Sequence, residues 1–301
     1  MLRFRKWFKY VIMNLRNALP IQDKSIQTFI NSIDVTNFLY DESIPDTFTN
    51  NFYSWINSSK NNNLLGLDHF TNQKIIAGTI QAFDHWYWKH KDKTIRFFKG
   101  EFMYHQAVLK NGGNFAFIED GMLKENDAVV ISVPFSDWGK QRDDLEYYLT
   151  SCSALNIPVL LDFAYYPCAK NINLDVSKFS CIDTIAFSIS KAFNGAEFLR
   201  VGMRLEKQDN DDGIDVFNSV KMQNRISLGI VNELIKNFSV DYNWNTYSKE
   251  YKQVCQELNL KETDCIMFGT GNKEWKHMNR GTKINRVCIS NLIGGELAST
   301  K

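Results

Sequence analysis

Between residues 79 and 190 the chain alternates two kinds of apolar pattern. One kind is short and apolar at every position: "TIRFF" (94–98), "NFAFIE" (114–119), "AVVISVP" (128–134), "PVLLDFA" (158–164) and "TIAFSIS" (184–190). These runs are rich in β-branched and aromatic residues, which predicts strands buried on both faces. The other kind, "TIQAFDHWYWKHK" (79–91) and "KQRDDLEYYLTSCSALN" (140–156), places apolar residues at helical spacing. Strands of the first kind separated by helices of the second predict an α/β fold, a mostly parallel sheet covered by helices on both faces. The Asn-rich "NSSKNNN" (57–63) reads as a loop and "EKQDNDDG" (206–213) as a polar break. Beyond it, "FNSVKMQNRISLGIVNELIKNF" (217–238) and "YSKEYKQVCQELNL" (247–260) read as helices, and "NRVCISN" (285–291) as a last strand. The expected organisation is an N-terminal arm over 1–45, a large α/β domain over 46–205, and a smaller α+β domain over 206–301.

Composition narrows the function. The 301 residues are 44% hydrophobic and 23% charged, ordinary for a globular protein with an ample core. A formal net charge of +1 leaves no electrostatic footprint for nucleic acid or an anionic membrane. The Trp-rich "HWYWKHK" (85–91) reads as a helix burying aromatics, not as a stacking platform for bases. Cys152, Cys168, Cys181, Cys255, Cys265 and Cys288 form no C-x-x-C pair, which suits reduced structural thiols in a cytoplasmic protein. The histidines lack any ligand spacing, so no metal site is expected, and His105 reads as a core residue. No apolar run approaches a membrane span. The opening "MLRFRKWFKYVIMNLRNALP" is basic and interleaved with aromatics; it reads as a helical arm packed on the body, with an interfacial amphipathic helix as the alternative. It lacks the continuous apolar stretch of a signal peptide.

In parallel sheets of this kind ligands collect beyond the carboxyl ends of the strands. That rule gathers Asp162, Tyr165, Ser188, Ser190 and Lys191, each at the end of a predicted strand. It also gathers "AGTIQ" (77–81), a small-residue turn opening a helix, where Gly78 and Thr79 offer backbone N–H groups to an anion. A lysine beside a buried strand loses hydration and needs a partner or a use.

The series D-x-A-Y (Asp162, Ala164, Tyr165), S-x-S-K ending at Lys191, and Arg200-Val-Gly202 resembles the class I/II aminotransferases, fold-type-I enzymes that use pyridoxal 5′-phosphate. The resemblance runs from about Gly78 to about Ser290. It implies that Lys191 holds the cofactor aldehyde as a Schiff base and shuttles the substrate proton. It implies Asp162 against the ring nitrogen, Tyr165 donating to the phenolic oxygen, and Ser188, Ser190, Arg200, Gly78 and Thr79 on the phosphate. It further nominates Phe102 to stack on the ring, Arg286 to clamp the substrate α-carboxylate, and Tyr40 to reach the phosphate of a neighbouring subunit. The substrates implied are an α-amino acid and a 2-oxo acid, and the assembly a homodimer. The chain departs from the family in several places. "VPFSDWGK" stands where the family has an Asn-Pro-x-Gly turn, with Ser136 or Asp137 in place of the asparagine, and the chain is shorter than typical members. The alternatives are a lyase or decarboxylase using the same cofactor, or an inactive binding or scaffold protein of the same fold.

Overall fold

The computed structural model describes residues 15–294, so most of the basic opening segment lies outside the described residues. The strands, in chain order, are β1 (Asn63–Leu65), β2 (Asn72–Ile76), β3 (Thr94–Phe97), β4 (Phe115–Phe117), β5 (Asp127–Ser132), β6 (Val159–Asp162), β7 (Asn173–Asp175), β8 (Ile182–Ser188), β9 (Gly202–Glu206), β10 (Leu260–Lys261), β11 (Phe268–Gly271) and β12 (Asn285–Cys288). A seven-stranded sheet runs in the order β2-β9-β8-β6-β5-β3-β4. Its pairings from β4 to β8 are parallel, and β9 is antiparallel to both β8 and β2. The mostly parallel α/β sheet expected from the apolar runs is therefore present, with β2 and β9 added as an antiparallel edge.

Alternate residues of the central strands feed two cores. Val129, Ile131, Leu161 and Phe187 face Phe48, Phe52 and Trp55 of the helix Ile44–Asn57 and Leu228, Val231 and Leu234 of the helix Arg225–Asn237. Ala128, Val130 and Leu160 face Phe83, Trp86 and Tyr87 of the helix Thr79–Lys89. Each fully buried side chain of this size contributes about 1.5–3 kcal/mol, which is why these strands read as unbroken apolar runs. The aromatics of "HWYWKHK" do go inward: Trp86 and Tyr87 are buried, while Trp88 is exposed.

A second, antiparallel sheet, β10-β11-β12, packs with the helix Tyr242–Glu257 and with Leu15, Ala18 and Ile21. The backbone N–H of Cys288 in β12 donates to the Leu15 carbonyl at 2.8 Å. The segment 217–238, expected as one helix, is two: Gly213–Ser219 and Arg225–Asn237. Lys221 takes a left-handed φ of 52°, and the Asn224 side chain accepts from the N–H of Ser227, starting the second helix anew. All six cysteines are buried and unpaired. Among the described residues no helix is long and apolar enough to cross a membrane.

Candidate active site

Strand register builds the site. Ser132 in β5, Asp162 in β6 and Ala186 in β8 stand side by side at the carboxyl ends of their strands. On the other flank Ser188 lies level with Gly202 and Ile76, so the turn Ala77–Gly78 follows immediately. Gly202 is obligatory there, since a Cβ would stand 2.3 Å from the Phe187 carbonyl oxygen.

Gly78 has a φ of 81° and caps the helix Thr79–Lys89 without a side chain of its own. A Cβ at this position would stand 2.6 Å from Arg200 Nη2 and 3.6 Å from Ser188 Oγ. Arg200 donates from Nη2 to the Ala77 carbonyl at 3.1 Å. The Ser188 and Ser190 hydroxyls are joined at 2.9 Å, and both residues are buried, as is Thr79. Gly78, Thr79, Ser188, Ser190 and Arg200 thus form one cradle of N–H, hydroxyl and guanidinium donors at the start of an 11-residue helix, suited to a phosphate.

Asp162 is 5% exposed. Its Oδ1 accepts from the Ala164 N–H at 2.9 Å, and its Oδ2 lies 3.5 Å from the Ser132 hydroxyl. Burial, reinforced by the charge of Glu101, pushes its carboxyl up to about 7. Lys191 lies in the turn after β8, and its Nζ donates to the Ala18 carbonyl. Burial lowers its pKa, which favours the free amine.

Tyr165 packs edge-on against Phe268 at 5.6 Å, and burial pushes its phenol up to about 12. Arg286 in β12 is 8% exposed. Its Nη1 donates to the Ser136 carbonyl at 2.7 Å, its Nη2 reaches the Arg16 carbonyl at 3.5 Å, and the guanidinium sits 5.1 Å from the Phe268 ring centre. Ser136 and Asp137 are both buried. The Ser136 hydroxyl lies 3.4 Å from Arg280 Nη1, and Asp137 Oδ2 accepts from the Thr282 hydroxyl at 2.5 Å.

Two expected residues stand apart from these contacts. Phe102, on the loop after β3, is 41% exposed and stacks on Tyr104 with ring centres 5.9 Å apart. Tyr40 is 79% exposed, on a turn before the helix Ile44–Asn57. His105 is fully buried, as its sequence context predicts, with Nδ1 2.5 Å from the Tyr87 hydroxyl.

Three participants are not evident from the sequence. Glu101, 2% exposed, binds Ser132 beside Asp162. Arg280 donates from Nη2 to the Glu101 carbonyl at 2.7 Å and shares the Ser136 carbonyl with Arg286. The Ala18 carbonyl, from far upstream, meets Lys191. Only Glu101 has a local signal: it follows Gly100, whose φ of 91° turns the chain at the end of a predicted strand.

No protein-family profile matches the chain, and no curated protein sequence matches it. Solved structures do. An aspartate aminotransferase from Thermotoga maritima superposes with a TM-score of 0.64 at 13% identity, over 96% of this chain and 92% of its own. An aromatic aminotransferase from Pyrococcus horikoshii gives 0.63 at 14% identity, over 91% and 90%. A histidinol-phosphate aminotransferase from Clostridium acetobutylicum gives 0.59 at 12% identity, over 91% and 93%. The chain has the fold of these aminotransferases.

Proposed function

We propose that the chain is a pyridoxal 5′-phosphate-dependent aminotransferase, acting on an α-amino acid and a 2-oxo acid as a cytoplasmic homodimer. One observation carries the reading. A lysine amine whose pKa burial lowers, a buried carboxylate and an anion cradle lie at the carboxyl ends of adjacent strands, Lys191 in the turn just after β8, Ser188 ending β8 and Asp162 ending β6. The residues fit the cofactor. The space beside Gly78 that a Cβ would fill is bounded by Arg200 and Ser188, and among the described residues no salt bridge is made to the Asp162 carboxyl, which leaves its charge for a cationic partner.

When bound, pyridoxal 5′-phosphate supplies an aldehyde for a lysine amine and a protonated ring that accepts the electrons released at Cα. Gly78, Thr79, Ser188, Ser190 and Arg200 bind the phosphate. Asp162 holds a proton at the ring nitrogen, and Tyr165 donates to the phenolic oxygen. In this reading Phe102 would cover a face of the ring, and Tyr40 would reach the phosphate of the second subunit. Lys191 Nζ, whose pKa burial lowers, would take the proton from the substrate Cα and return it. Arg286 orients the substrate by its α-carboxylate, for which a planar, permanently charged group is the best partner.

The test is reconstitution of the full-length protein with pyridoxal 5′-phosphate, borohydride reduction and peptide mapping. A visible chromophore and a pyridoxyl group on Lys191 are expected, with conversion to the pyridoxamine form when the right amino acid is added. No chromophore, or a label on another lysine, overturns the cofactor assignment. A chromophore on Lys191 that no amino acid converts overturns amino transfer and favours lyase chemistry or a binding role.

A further inference from the structure

Behind Asp162 lies a second buried carboxyl group. Glu101 accepts from the Ser132 N–H through Oε1 at 2.9 Å and from the Ser132 hydroxyl through Oε2 at 2.6 Å. The same hydroxyl oxygen lies 3.5 Å from Asp162 Oδ2. One hydroxyl therefore stands between two carboxyl groups, and it has one hydrogen to give. If Asp162 is protonated, its O–H points to Ser132 Oγ and the serine donates to an ionised Glu101. If Glu101 is protonated, the chain of donors reverses. Either arrangement satisfies both carboxyls with a single proton, and turning the serine hydroxyl passes that proton between them.

The surroundings hold the pair to that one proton. Tyr87, from the helix Thr79–Lys89, stays a neutral phenol because burial raises it far above its ordinary range. His105, from the helix Tyr104–Leu109, is bonded to Tyr87 and is pushed down to about 3 by burial, so it stays neutral as well. Arg280 binds the Glu101 carbonyl oxygen, and Arg142 lies over the Phe98 ring at 3.5 Å. These two guanidiniums favour an ionised Glu101 from a distance without making an ion pair with it. Two buried carboxyls with no direct cation cannot both ionise cheaply. Both are pushed up to about 7, mainly by burial.

We propose that Glu101, acting through Ser132, is a positioning residue that shares one proton with Asp162 and gives it up when the cofactor's ring nitrogen binds. This rests on the cofactor reading above. The step balances for either form of the ring. With a bare nitrogen the Asp162 O–H bond breaks as an N–H bond forms on the ring; with a pyridinium the same proton leaves to solvent. In both cases the pair becomes doubly ionised. The pyridinium faces Asp162, and Glu101 keeps its two bonds from Ser132. No proton is drawn from solvent.

The experiment is calorimetric titration of the cofactor-free, full-length protein with pyridoxal 5′-phosphate near pH 7. Two buffers of different ionisation enthalpy report the protons exchanged with solvent. Wild type and Glu101→Gln are compared, so proton changes at Lys191 and the phosphate cancel. Removing Glu101 lowers the proton affinity of Asp162, and the variant is expected to take up roughly one more proton per cofactor bound than wild type. Its affinity should then fall about tenfold more per pH unit above neutrality. A second readout needs no cofactor. Because both folded-state pKa values lie above the unfolded ones, the pair's contribution to stability is full below about pH 4 and is lost as pH rises through about 7. Glu101→Gln should flatten that loss of Tm. Should Glu101→Gln not fold, Ser132→Ala removes the hydroxyl that favours the ionised form of both carboxyls, so the pair holds its proton more tightly and proton uptake on binding should fall below wild type. Saturable binding with equal proton uptake in wild type and variant overturns the shared proton alone. Absence of saturable binding by wild type overturns the cofactor reading together with the role assigned to the pair.

Discussion

Gly78 shows how much a single residue carries in this site. Its φ of 81° lies where an L side chain is strained, and the missing Cβ leaves room for Arg200 and Ser188. In Gly78→Ala the left-handed backbone costs about 1–2 kcal/mol of stability. The new methyl then displaces Arg200 Nη2, a flexible side-chain end, from the Ala77 carbonyl. Loss of a charged donor to the phosphate costs about 1.5–3 kcal/mol, which is a tenfold to hundredfold weaker Kd for pyridoxal 5′-phosphate. Thermal unfolding of the cofactor-free protein measures the first effect and fluorescence titration with cofactor the second. A drop in Tm with unchanged Kd would remove Arg200 from the cradle. At this scale the sequence was informative where chemistry and strand end coincide: Asp162, Ser188, Ser190, Lys191 and the Gly78 turn each finish a run or open a helix. It was silent on partners brought by distant chain. Ala18, Glu101 and Arg280 meet the site only through tertiary packing, and apart from the Gly100 turn before Glu101 nothing in their local spacing marks them.

At the level of elements, apolar pattern located the buried strands because burial on both faces leaves no polar position to blur them, as in the fully buried β5. The antiparallel edge was harder to see. In β2, "NQKII", only the last two residues are buried, and the first three are half-exposed, so no apolar run announces it. The segment 217–238 misled in the opposite sense, for its apolar residues keep helical spacing across a break. What ends the first helix is backbone and cap chemistry, Lys221 in the left-handed region and Asn224 as the cap of Arg225–Asn237. Asn224→Ala removes the acceptor for the Ser227 N–H and is expected to cost about 0.5–2 kcal/mol. This helix packs on Ile44–Asn57 and gives no side chain to the cradle, so the cofactor spectrum should be unchanged while the urea midpoint falls. A variant as stable as wild type would mean that the break is set by Lys221 and the preceding turn alone.

The whole molecule leaves one surface unexplained by a single chain. Val216, Phe217, Val220, Met222 and Ile226 are exposed, at 57%, 53%, 57%, 67% and 37%, along the break between two helices. Lys221 and Arg225 tie this stretch to Glu42 and Leu39 through their carbonyls at 3.4 and 3.2 Å. That brings exposed Leu39 and Tyr40 to its side. Phe198, 82% exposed, extends from the short helix Ala196–Leu199, two residues before Arg200 of the cradle. So many large apolar side chains in one region mark an interaction surface. Two-fold pairing of identical chains is the commonest way to cover one. Its position beside the cradle also suits the role proposed for Tyr40, because a residue exposed on one subunit can complete the phosphate site of the other. Phe198→Glu and Phe217→Glu each replace an apolar contact with a charge, so each should cost the pair about 1.5–3 kcal/mol per side chain, and twice over by symmetry. Sedimentation equilibrium should show a dimer for wild type and a dissociation constant weakened at least a hundredfold for each variant. Thermal stability of the separated chains should stay near wild type, since neither ring belongs to a core. Weaker cofactor binding in the dissociated Phe217→Glu protein, restored at concentrations that drive reassociation, would tie the surface to the site. A wild-type monomer at those concentrations would refute the dimer and, with it, the reach of Tyr40 across the interface.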